Sequence, residues 1–172
     1  AEVQISNLLS CFENFKVDIF TFDLFKEGSS IFGDLEDVKV YTKNRNTNLR
    51  ALKKIIESNE YEIIHSHLPR ADFYVGILRF ISKKFKHIIT VHAQYGDRAG
   101  ESKLKYFIFN LFWRFILNNS DGVIAISNKI HNWLLSERGI NKNKITTIHY
   151  GVQIKERNNC LLYTSDAADE RH

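Results

Sequence analysis

The chain has 172 residues, of which 44% are apolar and 26% are charged, and its formal net charge at pH 7 is +4. This length allows one hydrophobic core of ordinary size, and the composition is typical of a globular domain. The modest charge excludes the dense basic surface of a dedicated nucleic-acid-binding protein, but it is compatible with anionic partners such as nucleotide phosphates or acidic lipid headgroups.

The apolar periodicity alternates between the helical and the strand type along the chain. Pro69 suits the first turn of a helix, Ser127 an N-cap, and Gly139 the C′ position at the end of the helix between them. The predicted elements are, in chain order, a helix over 2–13, strands over 17–23 and 38–41, a helix over about 47–58, a strand over 62–67, a helix from Pro69, a strand over 87–92, a helix over about 101–118, a strand over 122–126, a helix after Ser127 and a strand over 144–149.

Strands that alternate with helices at this spacing predict an α/β fold, with a Rossmann-like, doubly wound parallel sheet. In such sheets ligands bind beyond the carboxyl ends of the strands. The residues that follow each predicted strand are therefore the candidates for chemistry, and they are Asp23, residues 67–70, residues 92–98, Ser127 and residues 150–151.

Two histidines on one strand are the first candidate site. His65 and His67 alternate, so they point to the same face and could share a metal ion, with His92 on a neighbouring strand. No acidic cluster supplies further ligands, and a packed, hydrogen-bonded His65 is the favoured interpretation. His67, at the strand end, is the better candidate for facing the ligand crevice.

The segment after the strand over 87–92 is the second candidate. A neutral imidazole at His92 could accept a proton or bind a sugar hydroxyl near physiological pH. Tyr95 offers an aromatic face and a hydroxyl, and Arg98 could bind a phosphate with two parallel hydrogen bonds. An ordinary surface loop, in which Asp97 caps a helix, is the alternative.

The helix over 101–118 is apolar around most of its circumference. One stripe contains Leu104, Phe107, Ile108, Leu111, Phe112, Phe115 and Ile116, and a second contains Tyr106, Phe109, Trp113 and Leu117. Burial between the sheet and another element is the favoured prediction. A lipid-facing surface, assisted by Lys103, Lys105 and Arg114, is the alternative.

The remaining patterns bear on compartment and reaction class. Cys11 and Cys160 form no CxxC pair, which argues against a disulfide scaffold and indicates a reducing compartment. No apolar run approaches the roughly 20 residues of a membrane-spanning helix. The motifs GxGxxG, GxxxxGK[ST] and GxSxG are absent, so dinucleotide-binding, P-loop and serine-hydrolase functions lack their signatures. We expect a cytoplasmic protein, which could lie at the inner face of the membrane.

Five segments in order resemble the N-terminal domain of glycosyltransferase family 4, a family of retaining enzymes with the two-domain GT-B fold. The opening Ala1-Glu2 resembles the end of a Gly-Gly-Ala-Glu segment. The other matches are residues 62–67 (EIIHSH) to D-I-I-H-x-H, residues 90–92 (TVH) to T-x-H, residues 123–127 (VIAIS) to V-I-A-x-S, and residues 144–152 (KITTIHYGV) to K-I-x-V-I-x-N-G-V.

The resemblance implies a division of labour between two domains. The N-terminal domain, here residues 1–152, holds a glycan or lipid-linked acceptor, and a C-terminal domain holds the nucleotide sugar. It implies no metal and no further cofactor. His92 matches the family histidine that faces the reacting sugar, and the expected acceptor-side residues are His67, Arg70, Tyr95, Asp97 and Arg98. Ser127 and Gly151 are expected at the cleft.

Three departures from the family pattern matter. The glycine turn and first strand precede Ala1 in the family, Tyr150 replaces an Asn, and the donor domain with its Glu-x7-Glu motif has no counterpart. We therefore expect a fragment that is inactive by itself, followed by a tail over 153–172 that is not native or is disordered. The alternatives are a nucleotide-sugar 2-epimerase relative, a non-catalytic module in peripheral membrane contact, and a metal-dependent hydrolase built on His65 and His67.

Overall fold

A computed structural model describes residues 15–22, 39–42, 48–95 and 102–151, together with Ile5 and Leu9. The elements are β1 (Asp18–Thr21), β2 (Lys39–Thr42), α1 (Asn48–Asn59), β3 (Ile63–His67), α2 (Pro69–Ile81), β4 (Lys86–Val91), α3 (Lys103–Asn119), β5 (Gly122–Ala125), α4 (Asn128–Ser136), a short 3₁₀ helix (Lys142–Lys144) and β6 (Ile145–Thr147).

All described strand pairs are parallel, as the alternation of strands and helices predicted. A four-stranded sheet has the order β3-β4-β5-β6, and β1 pairs with β2 in a separate two-stranded sheet. The hydroxyl of Tyr61, just before β3, donates to Asp18 of β1 at 2.5 Å and so links the two sheets. Right-handed crossovers place α2, α3 and α4 on one face of the larger sheet.

The predicted elements are present with ends that differ by one or two residues. Ile5 and Leu9, the two described positions of the predicted helix over 2–13, are helical. Ser127 caps α4, since its Oγ accepts from the backbone N–H of Ile130 at 3.3 Å. Gly139 has the expected left-handed conformation, with φ of 59°. The C-cap of α4 is Glu137, so the C′ residue is Arg138, and Gly139 lies one residue beyond the position predicted for it.

The larger of two core clusters lies between the larger sheet and α3 and α4, and the smaller one lies between α1 and α2. Ile89 and Val91 of β4, and Val123 and Ala125 of β5, alternate along their strands and are almost fully buried. Trp113 of α3 is fully buried at the centre of this cluster and contacts Trp133 of α4, with ring centroids 5.9 Å apart. The face of β4 that carries Ile89 and Val91 is therefore the one covered by helices.

A buried polar chain crosses this apolar core. The side chain of Asp72, in the first turn of α2, accepts from Ser66 Oγ at 2.6 Å and from the indole N–H of Trp113 at 3.1 Å. Ser66 Oγ also lies 2.9 Å from His87 Nε2. Asp72 is 1% exposed, and burial raises the pKa of its carboxyl to about 7. These hydrogen bonds join β3, α2, α3 and β4 through side chains that are almost fully buried.

The prediction that α3 is clamped on both sides is wrong. Its second stripe, with Trp113 and Leu117, packs on the sheet together with Ile116. The other stripe is exposed by between 48 and 66% per residue, and its members are Leu104, Phe107, Ile108, Leu111, Phe112 and Phe115. In the parts of the chain that the structure describes, no helix is both long and apolar enough to cross a membrane.

We expect Asp72→Ala to lower the free energy of unfolding by about 2–4 kcal/mol, because Trp113 and Ser66 lose their shared acceptor in a buried site. The loss in free energy of unfolding for Asp72→Asn should be smaller by at least about 1 kcal/mol, because the Asn amide oxygen can accept from Trp113 and its NH₂ can donate to Ser66. Urea unfolding of the two variants measures both values. Equal losses would show that the hydrogen bonds do not set the stability.

Candidate active site

The carboxyl edge of the larger sheet brings together three side chains from distant parts of the sequence. His67 is the last residue of β3, His92 directly follows β4, and Tyr150 lies three residues beyond β6. The register pairs His67 with Thr90, so the two parallel strands end side by side. This edge is where an α/β sheet binds its ligands.

The three side chains form a continuous hydrogen-bonded chain. His67 Nδ1 lies 2.9 Å from His92 Nε2, and the Tyr150 hydroxyl lies 2.7 Å from His92 Nδ1. The ring centroids of His67 and His92 are 5.2 Å apart. Both nitrogens of His92 therefore have a protein partner. We call these three residues the His–His–Tyr chain.

Both imidazoles of the chain are neutral near pH 7. Burial lowers the pKa of His67 to about 3 and that of His92 to about 4, from an ordinary value of 6.5. Burial also raises the pKa of Tyr150, so its hydroxyl keeps its proton. If Tyr150 donates to His92, then His92 donates to His67. In the opposite polarity His67 donates to His92, which donates to Tyr150 and leaves the tyrosine O–H proton available.

The turn after His67 carries backbone strain. Leu68 has φ of 78° and ψ of 144°, a region that glycine favours, and it is the N-cap of α2 without making a side-chain capping bond. Pro69 follows at the first turn of the helix. A non-glycine residue in this conformation, directly between His67 and α2, is the kind of strain that clusters at ligand sites.

His65 lies beside this chain on the same face. Its ring is 4.3 Å from that of His67, as alternation along the strand predicted, and its Nε2 lies 2.7 Å from Thr90 Oγ1. The hydrogen bond matches the favoured interpretation, but the residue is exposed and not packed under a helix. Among the described residues, no three His, Cys, Asp or Glu side chains are grouped so that they could hold a metal ion.

Two expected acceptor-side residues have structural partners here. The guanidinium of Arg70 lies 5.6 Å from the centre of the Phe22 ring, at the end of β1. Tyr95 packs edge-on against Trp113 with ring centroids 5.5 Å apart. Burial raises the pKa of Tyr95 to about 12. Tyr95 therefore holds the segment after His92 against the core.

The remaining expected residues are less informative. The hydroxyl of Ser127 is used as the N-cap of α4. Gly151 is exposed, and a Cβ atom there would meet nothing within 4 Å. Asp97 and Arg98 lie outside the described residues.

Sequence reasoning missed the partner of His92. Tyr150 was a candidate as a residue that follows a strand and was noted as a departure from the family pattern, but no local signal indicated that its hydroxyl reaches the imidazole. Arg138 was also missed: it is buried, donates to the backbone carbonyl of Tyr95 at 2.6 Å, and stacks on Trp133 at 4.5 Å. This arginine fixes the start of the segment that follows His92.

A family model and a protein relative match the chain. The model described as Glycosyltransferase Family 4 matches residues 34–156. An uncharacterized glycosyltransferase from Methanocaldococcus jannaschii is 27% identical over 156 residues, which is 87% of this chain and 42% of the relative. The chain therefore spans less than half the length of this relative.

Two kinds of solved structure have a similar fold. Anabaena HepE in complex with UDP aligns with a TM-score of 0.63 and 14% identity over 88% of this chain and 40% of its own. A glycosyltransferase from Rickettsia africae aligns with a TM-score of 0.60 and 21% identity over 88% and 38%. A second HepE structure, with UDP-glucose, has a TM-score of 0.55, 12% identity, and coverage of 79% and 44%. The fold is that of one Rossmann-like half of the GT-B architecture.

We expect the stability of the chain to fall as the pH is lowered from about 6.5 to about 4. In this window the unfolded chain protonates its histidines, whereas His67, His87 and His92 stay neutral in the folded state because burial lowers their pKa values to about 3, 4 and 4. The raised pKa of Asp72 stabilises the folded state as the pH falls through this window, and it therefore offsets the contribution of one histidine. With two protons more bound by the unfolded chain, the net loss should be about 2–3 kcal/mol per pH unit.

Urea unfolding at several pH values measures this slope, and His67→Gln should reduce it, because one histidine no longer titrates on unfolding. A wild-type stability that stays level or rises on acidification would contradict the burial of these rings.

Proposed function

The chain belongs to Glycosyltransferase Family 4, and we propose that it is the acceptor-binding half of a retaining glycosyltransferase of the hexosyltransferase type. The transferred sugar comes from a nucleotide-sugar donor and goes to a glycan or a lipid-linked acceptor, as in polysaccharide biosynthesis. The observation that carries the proposal is the His–His–Tyr chain at the carboxyl edge of the sheet.

The donor is a nucleotide sugar that a second domain binds for the most part. This assignment is supported by the HepE structures, whose descriptions give UDP and UDP-glucose as the bound molecules. It is also supported by length, since the chain spans 40% of one HepE chain and 42% of the M. jannaschii relative. The chain by itself would then lack most donor contacts and would be inactive, and no metal or further cofactor is invoked.

The acceptor is held by hydrogen bonds to neutral groups at the sheet edge. Sugar hydroxyls both donate and accept, and the His–His–Tyr chain can present either polarity because its protons can shift together. His67 and His92 carry no charge near pH 7, so this edge suits a neutral sugar ring. In this proposal Arg70 lies at the margin of the acceptor site, on the ring of Phe22.

Within this site His92 contacts the reacting sugar by exchanging its bond to His67 for a sugar hydroxyl, while Tyr150 positions the imidazole. The Tyr150 hydroxyl restrains the orientation of the imidazole, since it lies 2.7 Å from Nδ1 and 3.5 Å from Nε2. A ring held in one orientation loses less freedom when the transition state forms, which is how a positioned group lowers a barrier. Before the sugar binds, His67 holds the other nitrogen.

The full-length protein and this chain, assayed side by side with a panel of nucleotide sugars, test the overall proposal. We expect the full-length protein to release the nucleoside diphosphate in an acceptor-dependent manner, and this chain to release none. Turnover by this chain at the rate of the full-length protein would place the donor site within it and overturn the division of labour. Inversion at the anomeric carbon of the product would overturn the retaining mechanism.

In the full-length protein we expect His92→Gln to lower kcat/KM by at least about 100-fold, in the range of a lost transition-state donor. Tyr150→Phe removes one hydrogen bond and should lower kcat about 10-fold, with the KM for the donor nearly unchanged. Steady-state kinetics on purified variants measure both effects.

His131→Gln is the matched control, because His131 bonds to Thr147 outside the His–His–Tyr chain. Its activity should stay close to that of the wild type. A Tyr150→Phe variant that is faster than the wild type would mean that Tyr150 blocks His92 and does not position it.

A further inference from the structure

Three buried side chains in a row connect the core to the residue before His67. Ser66 Oγ lies between the carboxyl of Asp72, at 2.6 Å, and Nε2 of His87, at 2.9 Å. Each of these three side chains belongs to a residue that is at most 3% exposed. The other carboxyl oxygen of Asp72 accepts from the indole N–H of Trp113. We call the three residues the Asp–Ser–His row. Because a serine hydroxyl has one proton to donate, the ways in which the row can be hydrogen-bonded are few.

The row has two complete hydrogen-bonding patterns, and they differ by one proton. When Asp72 is ionised, Ser66 donates to it and accepts from Nε2–H of His87. When Asp72 is protonated, its proton lies on the oxygen that faces Ser66, because the other oxygen accepts from Trp113. Asp72 then donates to Ser66, which turns its own proton towards His87. The imidazole is neutral in both patterns, since burial lowers its pKa to about 4, but its proton lies on Nε2 in the first and on Nδ1 in the second.

One proton taken up at His87 converts the first pattern into the second. The proton binds Nδ1, Nε2 passes its proton to Ser66 Oγ, and Ser66 passes its proton to Asp72, so the transfer balances without a further donor. His87 also lines a cavity of about 230 Å³ between α2 and α3, together with Arg79 and Lys83. The cavity gives the His87 end of the row a route to solvent, and the buried carboxyl exchanges protons along it.

The groups around the row do not change charge where Asp72 does. Burial raises the pKa of Asp72 to about 7. Burial also lowers the pKa of His65 to about 4 and raises that of Tyr95 to about 12, and the hydrogen bond from Arg79 lowers the pKa of Asp121 in spite of its burial. The charged and titratable groups that face the row are Tyr95 and Arg138 on the Asp72 side, and His65, Arg79, Lys83 and Asp121 on the His87 side.

The distance between Ser66 and Asp72 fits the ionised form. At 2.6 Å it lies in the range of an O–H···O⁻ bond, about 2.5–2.7 Å, whereas neutral O–H···O bonds are commonly about 2.7–2.8 Å long and roughly half as strong. Ser66 precedes His67, and the turn that follows keeps Leu68 at φ of 78° only while its surroundings restrain it. A weaker bond at Ser66 therefore loosens His67 and its contact with His92.

We propose that Asp72 is a positioning residue that switches with pH: its ionised carboxylate holds His67 in the acceptor site through Ser66, and proton uptake along the Asp–Ser–His row releases that hold. The effect on transfer rests on the proposed function, because it acts through acceptor binding at His67. The proton switch itself belongs to the core and does not depend on sugar transfer. Separate measurements therefore test the two parts.

NMR spectroscopy of this chain, with labelled tryptophan and histidine and between about pH 5.5 and pH 8.5, tests the switch. On acidification, with a midpoint at about 7, we expect the indole N–H signal of Trp113 to shift and His87 to change from the Nε2–H to the Nδ1–H tautomer. The ring signals of His67 should follow with the same midpoint. The chain has two tryptophans, so the indole signal of Trp133 is an internal control and should move less. In Ser66→Ala, Trp113 should still titrate, whereas His67 should no longer follow.

Steady-state kinetics of the full-length protein test the positioning role. The ionised fraction of a group with a midpoint at about 7 falls about tenfold from pH 8 to pH 6, so kcat/KM for the acceptor should fall about tenfold, with the KM for the donor nearly unchanged. Asp72→Asn presents an NH₂ to Ser66 and resembles the protonated form, so its kcat/KM should be low and level across this range. Glu57→Gln is the matched control: it removes an exposed carboxylate on α1, and its pH profile should equal that of the wild type.

Three results would overturn the proposal. A Trp113 signal that stays constant across this range would show that Asp72 does not titrate there. A wild-type Trp113 signal that titrates without any response of His67 would show that the row is not coupled to the acceptor site. An Asp72→Asn variant that is slower but keeps the pH dependence of the wild type would assign Asp72 a role in stability alone. If the NMR titrations occur as expected and the full-length protein transfers no sugar, the switch stands and the proposed function fails.

Discussion

The buried side chain of Asp72 determines how the elements around the candidate site are held together. It accepts from Ser66 on β3 and from Trp113 on α3, and through Ser66 it is connected to His87 at the start of β4. A carboxyl group in an apolar core is costly unless it is hydrogen-bonded or protonated, and here both conditions operate, because burial raises its pKa to about 7. The same contacts hold Ser66 in place, and they therefore fix the position of the end of β3, where Ser66 precedes His67.

The position of His67 then follows from two constraints on either side of it. Ser66 is anchored towards the helices, and Leu68 takes up a strained backbone with φ of 78° before Pro69 starts α2. The alternation of the strand sends His67 to the opposite face from Ser66, where it meets His92. A strained turn persists only when its surroundings over-determine it, and the Asp72 contacts provide that restraint. Stability in the core and geometry at the edge are therefore coupled through three consecutive residues.

Much of the fold could be predicted from the sequence, because helix and strand periods alternate clearly and parallel strands end at a common edge. From that rule alone, the sequence predicts that His67 and His92 lie at the same edge of the sheet. The partnership of Tyr150 with His92 could not be predicted, since it depends on the path of the backbone after β6. The exposure of α3 was missed for a different reason: two apolar stripes on one helix give no sign of which one has a partner. The periodicity of a helix shows that one of its faces is apolar, but it does not show which element covers that face.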